Sequence, residues 1–281
     1  MLIIWILVFV ASLIVMIKGA DWLLESAERI GLAIGLSPFI IGVTIVGMGT
    51  SFPELISSMA AVLKGVTEIV PASAIGSNIA NILLVVGLSA VIGRRLIISK
   101  SLIDLDLPLL AISTVLFLGI VWDKQITLIE SIFLIIAYGI YLSYTILHKD
   151  NRETAEIAEV LPSRQERRKH FDQKKESIEK PKIGVKDFVF LILGIIFLIF
   201  GAKYLIDSVV KLSEILAIGA GVIALAAVAF GTSLPELLVS VRAAFRKKSE
   251  IALGNIFGSN VFNLLIVVVV LRMSGCLTGI L

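Results

Sequence analysis

The sequence predicts an all-α polytopic membrane protein built as an inverted-topology repeat, with its N-terminus outside. Three observations carry this: the apolar composition, the recurrence of apolar runs along the chain, and two phrases that return in register. Hydrophobic residues make up 58% of the 281 residues, and mean hydropathy is +1.02, above what a soluble domain of this length shows. Gly49-Thr50-Ser51-Phe52-Pro53-Glu54 returns as Gly231-Thr232-Ser233-Leu234-Pro235-Glu236. Gly76-Ser77-Asn78-Ile79-Ala80-Asn81 returns as Gly258-Ser259-Asn260-Val261-Phe262-Asn263. Gly19-Ala20 and Gly201-Ala202 make a third pair, and all three keep one offset of 182 residues.

A hydrocarbon core of ~30 Å demands about 20 apolar residues per helix. Runs of that kind are Leu2–Ile17, Pro38–Leu63, Ile69–Ile92, Leu105–Trp122, Ile126–Leu147, Phe188–Val210, Ala220–Phe245 and Ile251–Leu271. One such run is compatible with a buried helix of a soluble protein; a whole series joined by short links is not. Leu2–Ile17 lacks the basic start of a signal peptide and leads into the repeated Gly19-Ala20, so it reads as a helix of the fold. Asp104 and Asp106 precede a run and read as helix caps. Asp21 and Asp207 do not align in the repeat, because Lys203 takes the place of Asp21, and they read as boundary charges. Isolated hydroxyls such as Ser89 and Ser143 read as helix back-bonding or packing groups.

Three units follow: a first repeat of five spans over 1–148, a charged linker over 149–186, and a second repeat of three spans over 187–281. The linker is rich in Lys, Arg, Glu, Asp and Gln, carries Pro162 and Pro181, and reads as a solvated tether with helical character over Ser163–Lys175. Arg94, Arg95, Lys100, the linker and Arg246, Lys247 and Lys248 fall on one side of the bilayer when the N-terminus is outside. Only Lys64, Lys124 and Lys211 fall on the other, which follows the positive-inside tendency. Five spans before the second copy make it enter from the opposite side, hence the inversion. The counterparts of Leu105–Trp122 and Ile126–Leu147 would fall beyond Leu281. The sequence therefore reads either as a chain that dispenses with two helices or as a piece of a longer reading frame.

Polar groups at membrane depth cost several kcal/mol and mark an ion or substrate path. Proline within a helix removes a backbone bond and is expected to break or kink it, freeing carbonyls near Thr50 and Thr232. Thr50 and Glu54 are four apart and share a face, as do Ser77 and Asn81. Inversion would gather Thr50, Ser51, Glu54, Ser77 and Asn81 with Thr232, Ser233, Glu236, Ser259 and Asn263 near the midplane. That set holds only oxygen ligands. It suits hard cations such as Ca2+ and Na+ and disfavours Zn2+ and Cu+. Two carboxylates neutralise one Ca2+.

At these residues the chain resembles the prokaryotic sodium/calcium exchanger family of the cation/calcium antiporter superfamily. The paired phrases resemble its two alpha repeats. The resemblance implies that Glu54 and Glu236 are central Ca2+ ligands with the Thr50 and Thr232 carbonyls. It further implies that Ser51, Ser77, Ser233 and Ser259 serve flanking Na+ sites and that Asn81 and Asn263 complete the ring. Some members, potassium-dependent ones among them, carry Asp at the place of Asn263. The proton/calcium exchangers carry a Gly-Asn phrase in place of Gly-Thr-Ser. The expectation is a secondary antiporter exchanging Na+ for Ca2+ by alternating access in the cell membrane. It would need no cofactor beyond the transported ions. It would be a monomer in the lipid bilayer, or would take its missing helices from a partner chain. The alternatives are a H+/Ca2+ antiporter and a non-transporting Ca2+-binding remnant.

Other classes fall away on the residues. Net charge is only +3, too small for a nucleic-acid partner. Cys276 is alone, and His148 and His170 lie at or within the polar segment, away from any metal cluster. No Gly-x-Ser-x-Gly, membrane His or Asp dyad supports an enzyme.

Overall fold

The computed structural model describes residues 2–65, 67, 69–93, 106–123, 126–160, 181–216 and 233–272, the side chains of 148–160 excepted. The described chain is helical, with no strand among the described residues. The helices are α1 (Leu2–Ala33), α2 (Pro38–Leu63), α3 (Val70–Gly93) and α4 (Leu107–Val121). They continue with α5 (Leu128–Val160), α6 (Val185–Ile215), α7 (Leu234–Phe245) and α8 (Ser249–Val270).

Six of these, all but α4 and α7, are long and apolar enough to cross a membrane. Of the eight expected spans, six are present as helices of spanning length, α4 is a shorter apolar helix of 15 residues, and the run over Ala220–Phe245 is described only from Ser233 onward. The link before it, Thr232 included, and the segment Ser163–Lys175 lie outside the described residues. Helical structure continues into the segment expected as the linker. Helix α5 runs on to Val160, because a polar extension keeps its backbone bonds after leaving lipid.

Local signals set the ends. Gly35 at φ +90° closes α1, with the Leu36 amide donating to Gly31 O at 2.8 Å. Pro38 then opens α2 behind the Ser37 cap. Glu130 and Thr127 cap α5 reciprocally, the Thr127 amide donating to Glu130 Oε2 at 2.7 Å. Asp106 does not cap α4. Its side chain makes no cap bond and is buried.

Helices α1 and α6 are repeat mates of 32 and 31 residues, and they pack antiparallel. Gly19 abuts Gly194 and Leu198, while Gly201 abuts Ser12 and Met16. Shifting either set by the repeat offset gives the other, so a pseudo-two-fold relates the helices. Trp22 packs at a tilt against Phe190 and Phe197 along the same seam. Backbone contact this close needs small residues, which is the packing logic of helices in lipid. The antiparallel seam is what an inverted repeat requires.

Helix α8 is the centre, with Ile251–Leu265 buried almost throughout. Gly254 and Gly258 press it against α2, where an added Cβ would fall 2.3 Å from Phe39 O and 2.2 Å from Val43 O. Helices α4 and α5 cover its other side, Tyr138 meeting Phe262 edge-on. The outward faces carry large apolar side chains such as Leu7, Leu83, Val115 and Ile129, as a lipid-facing surface does.

Asp21 is more than a boundary charge. Arg242 donates to both of its oxygens at 2.7 Å and Arg246 donates to Oδ1 at 2.8 Å. Arg246 also reaches Glu25, and Lys248 reaches Glu28. The network ties α1 to the α7–α8 turn.

Candidate cation site

The expected site residues arrive on four helices. Thr50, Ser51 and Glu54 lie on α2, and Ser77 and Asn81 on α3. Ser233 immediately precedes α7, Glu236 is in its first turn, and Ser259 and Asn263 are on α8. Each is at most 4% exposed. The structure therefore gathers nine of the ten in the interior; Thr232 lies outside the described residues.

Pro53 does not break α2. The helix is α-helical from Gly47 to Leu63 with Pro53 inside it. The irregularity sits one turn earlier, in a π-helical turn over Gly42–Val46, and a second π turn runs over Asn81–Val85. Proline denies a donor to the carbonyl four residues back, here that of Gly49, and the wide turn before it absorbs the misfit. In the second repeat Pro235 stands in the first turn of α7, where a missing N–H costs nothing.

Hydrogen bonds cross between the repeats at this level. Ser51 Oγ donates to Glu236 Oε1 at 3.1 Å. Thr50 Oγ1 donates to Asn255 Oδ1 at 2.9 Å. Asn81 Nδ2 donates to Asn260 Oδ1 at 3.0 Å and lies 3.5 Å from Ser259 Oγ. Asn78 Nδ2 donates to the Asn260 carbonyl at 3.0 Å. Asn78 and Asn260 are repeat mates, so the pseudo-two-fold passes between α3 and α8 here. Ser259 bonds back to Asn255 O at 2.7 Å, which leaves its oxygen free to accept.

A second group of atoms has no hydrogen-bond partner among the described residues. It comprises both oxygens of Glu54, Glu236 Oε2, Ser233 Oγ, Asn81 Oδ1, Asn78 Oδ1 and both amide atoms of Asn263. Glu236 lies within electrostatic reach of Glu54. Two close buried carboxylates without a basic partner are costly, on the order of several kcal/mol per ion. The cost is relieved by a cation or by protons. Carboxylate, amide and hydroxyl oxygens without nitrogen or sulfur ligands form a donor set for a hard cation. Ser89 is also buried with no hydrogen-bond partner among the described residues, so of its two expected roles it takes packing rather than back-bonding.

The sequence pattern missed Asn78, Asn255, Asn260 and Ser240. Asn78 and Asn260 stand inside the repeated phrase, and the four-residue spacing from Ser77 to Asn81 passes over them. Asn255 carries no repeat signal, because its mate is Ser73. Only the fold shows that its amide reaches Ser240 Oγ at 2.8 Å and Glu236 O at 3.4 Å.

The chain is similar to known proteins over most of its length. Residues 4–147 and 186–278 match the family described as sodium/calcium exchanger protein. Inner membrane protein YrbG of Escherichia coli (strain K12) is 32% identical over 92% of this chain and 76% of its own length. Sodium/calcium exchanger MaX1 of Methanosarcina acetivorans is 31% identical over 93% of this chain and 80% of its own. The solved structure of the sodium/calcium exchanger from Methanococcus jannaschii superposes with a TM-score of 0.74 at 33% identity. That match covers 96% of this chain and 81% of the other. The six apolar helices and these relatives make the chain a multi-pass protein of the cell membrane. It belongs to the sodium/calcium exchanger protein family.

Proposed function

We propose that this chain is a secondary antiporter that exchanges Na+ for Ca2+ at one site between Glu54 and Glu236. One observation carries the reading: two buried carboxylates from opposite repeats converge among oxygen donors, and three of their four oxygens lack a partner among the described residues. Ca2+ would take both carboxylates with Asn81, Asn263 and the serine and threonine oxygens. Na+ would use the same oxygens, so the two ions compete, and competition enforces exchange. An empty site leaves two negative charges unneutralised, which disfavours switching without a load. Access alternates as the α1–α6 pair slides across the core formed by α2, α3, α7 and α8. With the N-terminus outside, the Asp21–Arg242 network lies toward the cytoplasm, as does the 149–186 linker.

The test is radiolabelled Ca2+ uptake into Na+-loaded proteoliposomes, with and without an outward Na+ gradient. Gradient-driven uptake that disappears in Glu54→Gln is the expected result. Uptake indifferent to Na+ would sink the sodium coupling. The runner-up is H+/Ca2+ exchange, favoured by the same unpartnered Glu54, since a proton also neutralises it. Varying Na+ at fixed pH and pH at fixed Na+ separates the two.

A further inference from the structure

Asn255 differs from the other buried asparagines around the site. Asn78, Asn81, Asn260 and Asn263 each leave at least one amide atom without a partner among the described residues, while Asn255 leaves none. It is fully buried. Its Nδ2 donates to Ser240 Oγ and to the Glu236 carbonyl, and its Oδ1 accepts from Thr50 Oγ1. The orientation of the amide is fixed by chemistry. A carbonyl can only accept, so Nδ2 must face Glu236 O and Oδ1 must face Thr50. A hydroxyl beside Oδ1 has to donate. The other acceptors within reach of Thr50, Gly47 O at 3.2 Å and the Glu236 carboxylate, can take that hydrogen only in place of Asn255. While Asn255 takes that hydrogen, the Thr50 oxygen presents lone pairs rather than its hydrogen toward Glu236 and the open side.

We propose that Asn255 is a positioning residue for the ion site, holding Thr50 as an acceptor and anchoring the backbone of Glu236 without touching the ion. It joins α8 to α2 and α7, and so links the two repeats through one carboxamide. At the mate position in the first repeat stands Ser73, which carries no carboxamide. This inference rests on the reading that cations bind between Glu54 and Glu236.

The experiment is Ca2+ binding to purified full-length protein in detergent, titrated with radiolabelled Ca2+. The variants are Asn255→Ala, Asn255→Ser, Thr50→Val and the Asn255→Ala/Thr50→Val pair. Outer partners of metal ligands are worth roughly 10–100-fold in affinity, so Asn255→Ala should weaken Ca2+ binding about tenfold. Because the residue acts through Thr50, the double variant should bind within about twofold of Thr50→Val alone. The thermal midpoint of the ion-free protein is measured alongside, since a merely structural asparagine would lower it and leave the Ca2+ affinity unmoved. Should Asn255→Ala fail to fold, Asn255→Ser carries the same comparison. An unchanged affinity in the folded variant, or effects that add fully in the double variant, overturns the proposal. Glu54→Gln is the control. If the unmutated protein binds no Ca2+, the ion-site reading itself falls; if it binds and Glu54→Gln does not, only the Asn255 comparison is at stake.

Discussion

Ser51 of the first repeat gives its hydroxyl to Glu236 of the second, whereas Ser233 of the second gives nothing to Glu54 of the first. Asn81 bonds across to Asn260, whereas its mate Asn263 leaves both amide atoms without a partner among the described residues. The two copies of one phrase thus build unequal halves. The Glu236 half is held by Ser51 and, through its backbone, by Asn255. Both oxygens of Glu54 lack a partner among the described residues. Identical residues acquire different duties here because their surroundings differ. Asn255 against Ser73 is one such difference, and the covered α8 against the exposed α3 is another.

The largest effects should come from the carboxylates. Glu54→Gln and Glu236→Gln should each lower Ca2+-driven transport at least a hundredfold, since each removes half the charge that balances Ca2+. Stability should separate them. Both buried oxygens of Glu54 lack a partner among the described residues, so its neutral isostere should stabilise the ion-free protein by about 1–3 kcal/mol. Glu236→Gln keeps an acceptor for Ser51 and should gain less. Ion-free thermal midpoints of the two variants check this. Equal shifts would mean the halves are energetically alike and the hydrogen-bond difference has no consequence.

Packing should show the next effect. An added Cβ at Gly258 would meet the Val43 carbonyl at 2.2 Å, and backbone cannot step aside. At Gly201 it would meet a side chain rather than backbone, Met16 Cγ at 2.3 Å, which a χ1 change can move, with backbone no nearer than 3.2 Å. Gly258→Ala should therefore cost about 3 kcal/mol, and Gly201→Ala about 1 kcal/mol. Chemical unfolding in detergent compares them. A tolerated Gly258→Ala would show that α8 is not locked against α2.

These contrasts also show what a sequence can reveal. Helices α1 and α6 were visible in Gly19-Ala20 and Gly201-Ala202, because close helix packing in lipid demands small residues and duplication repeats them. Glu54 and Glu236 were visible because charge at membrane depth needs a reason. Asn255 was not visible, since its partners are supplied by Thr50 and Ser240, 205 and 15 residues away, and its mate is a serine. The bond between Arg242 and Asp21 spans 221 residues and breaks the repeat, so alignment of the copies argued against it. Pro53 misled for a different reason. Its effect depends on whether the turn before it can widen, and the Gly42–Val46 π turn supplies that freedom.

Asp21 offers a smaller break. The Arg242 and Arg246 pairs are partly buried, with the Asp21 side chain 15% exposed, and the mate position holds Lys203 on an exposed face. Asp21→Asn should destabilise by about 1–2 kcal/mol, between an exposed and a buried pair. Lys203→Met should stay within about 0.5 kcal/mol. High salt should narrow the difference, because partly exposed charges are screened. A difference unmoved by salt would mean that the Asp21 effect is packing rather than charge.

The subtlest contrast concerns lipid. Ile79 and Leu83 of α3 are 53% and 73% exposed, while their mates Val261 and Leu265 of α8 are 0% and 1% exposed. Helices α4 and α5 shield α8, and no described helix does this for α3. A carbene reagent carried on an acyl chain inserts into side chains that face hydrocarbon. In reconstituted protein it should label the α3 peptide at Ile79 and Leu83 and spare Val261 and Leu265. Site-resolved mass spectrometry reads the result without any substitution. Protection of Leu83 would mean that another helix covers α3 in the bilayer, so that both central helices are enclosed alike. The inequality of the two half-sites would then have to come from Asn255 and its bonds alone.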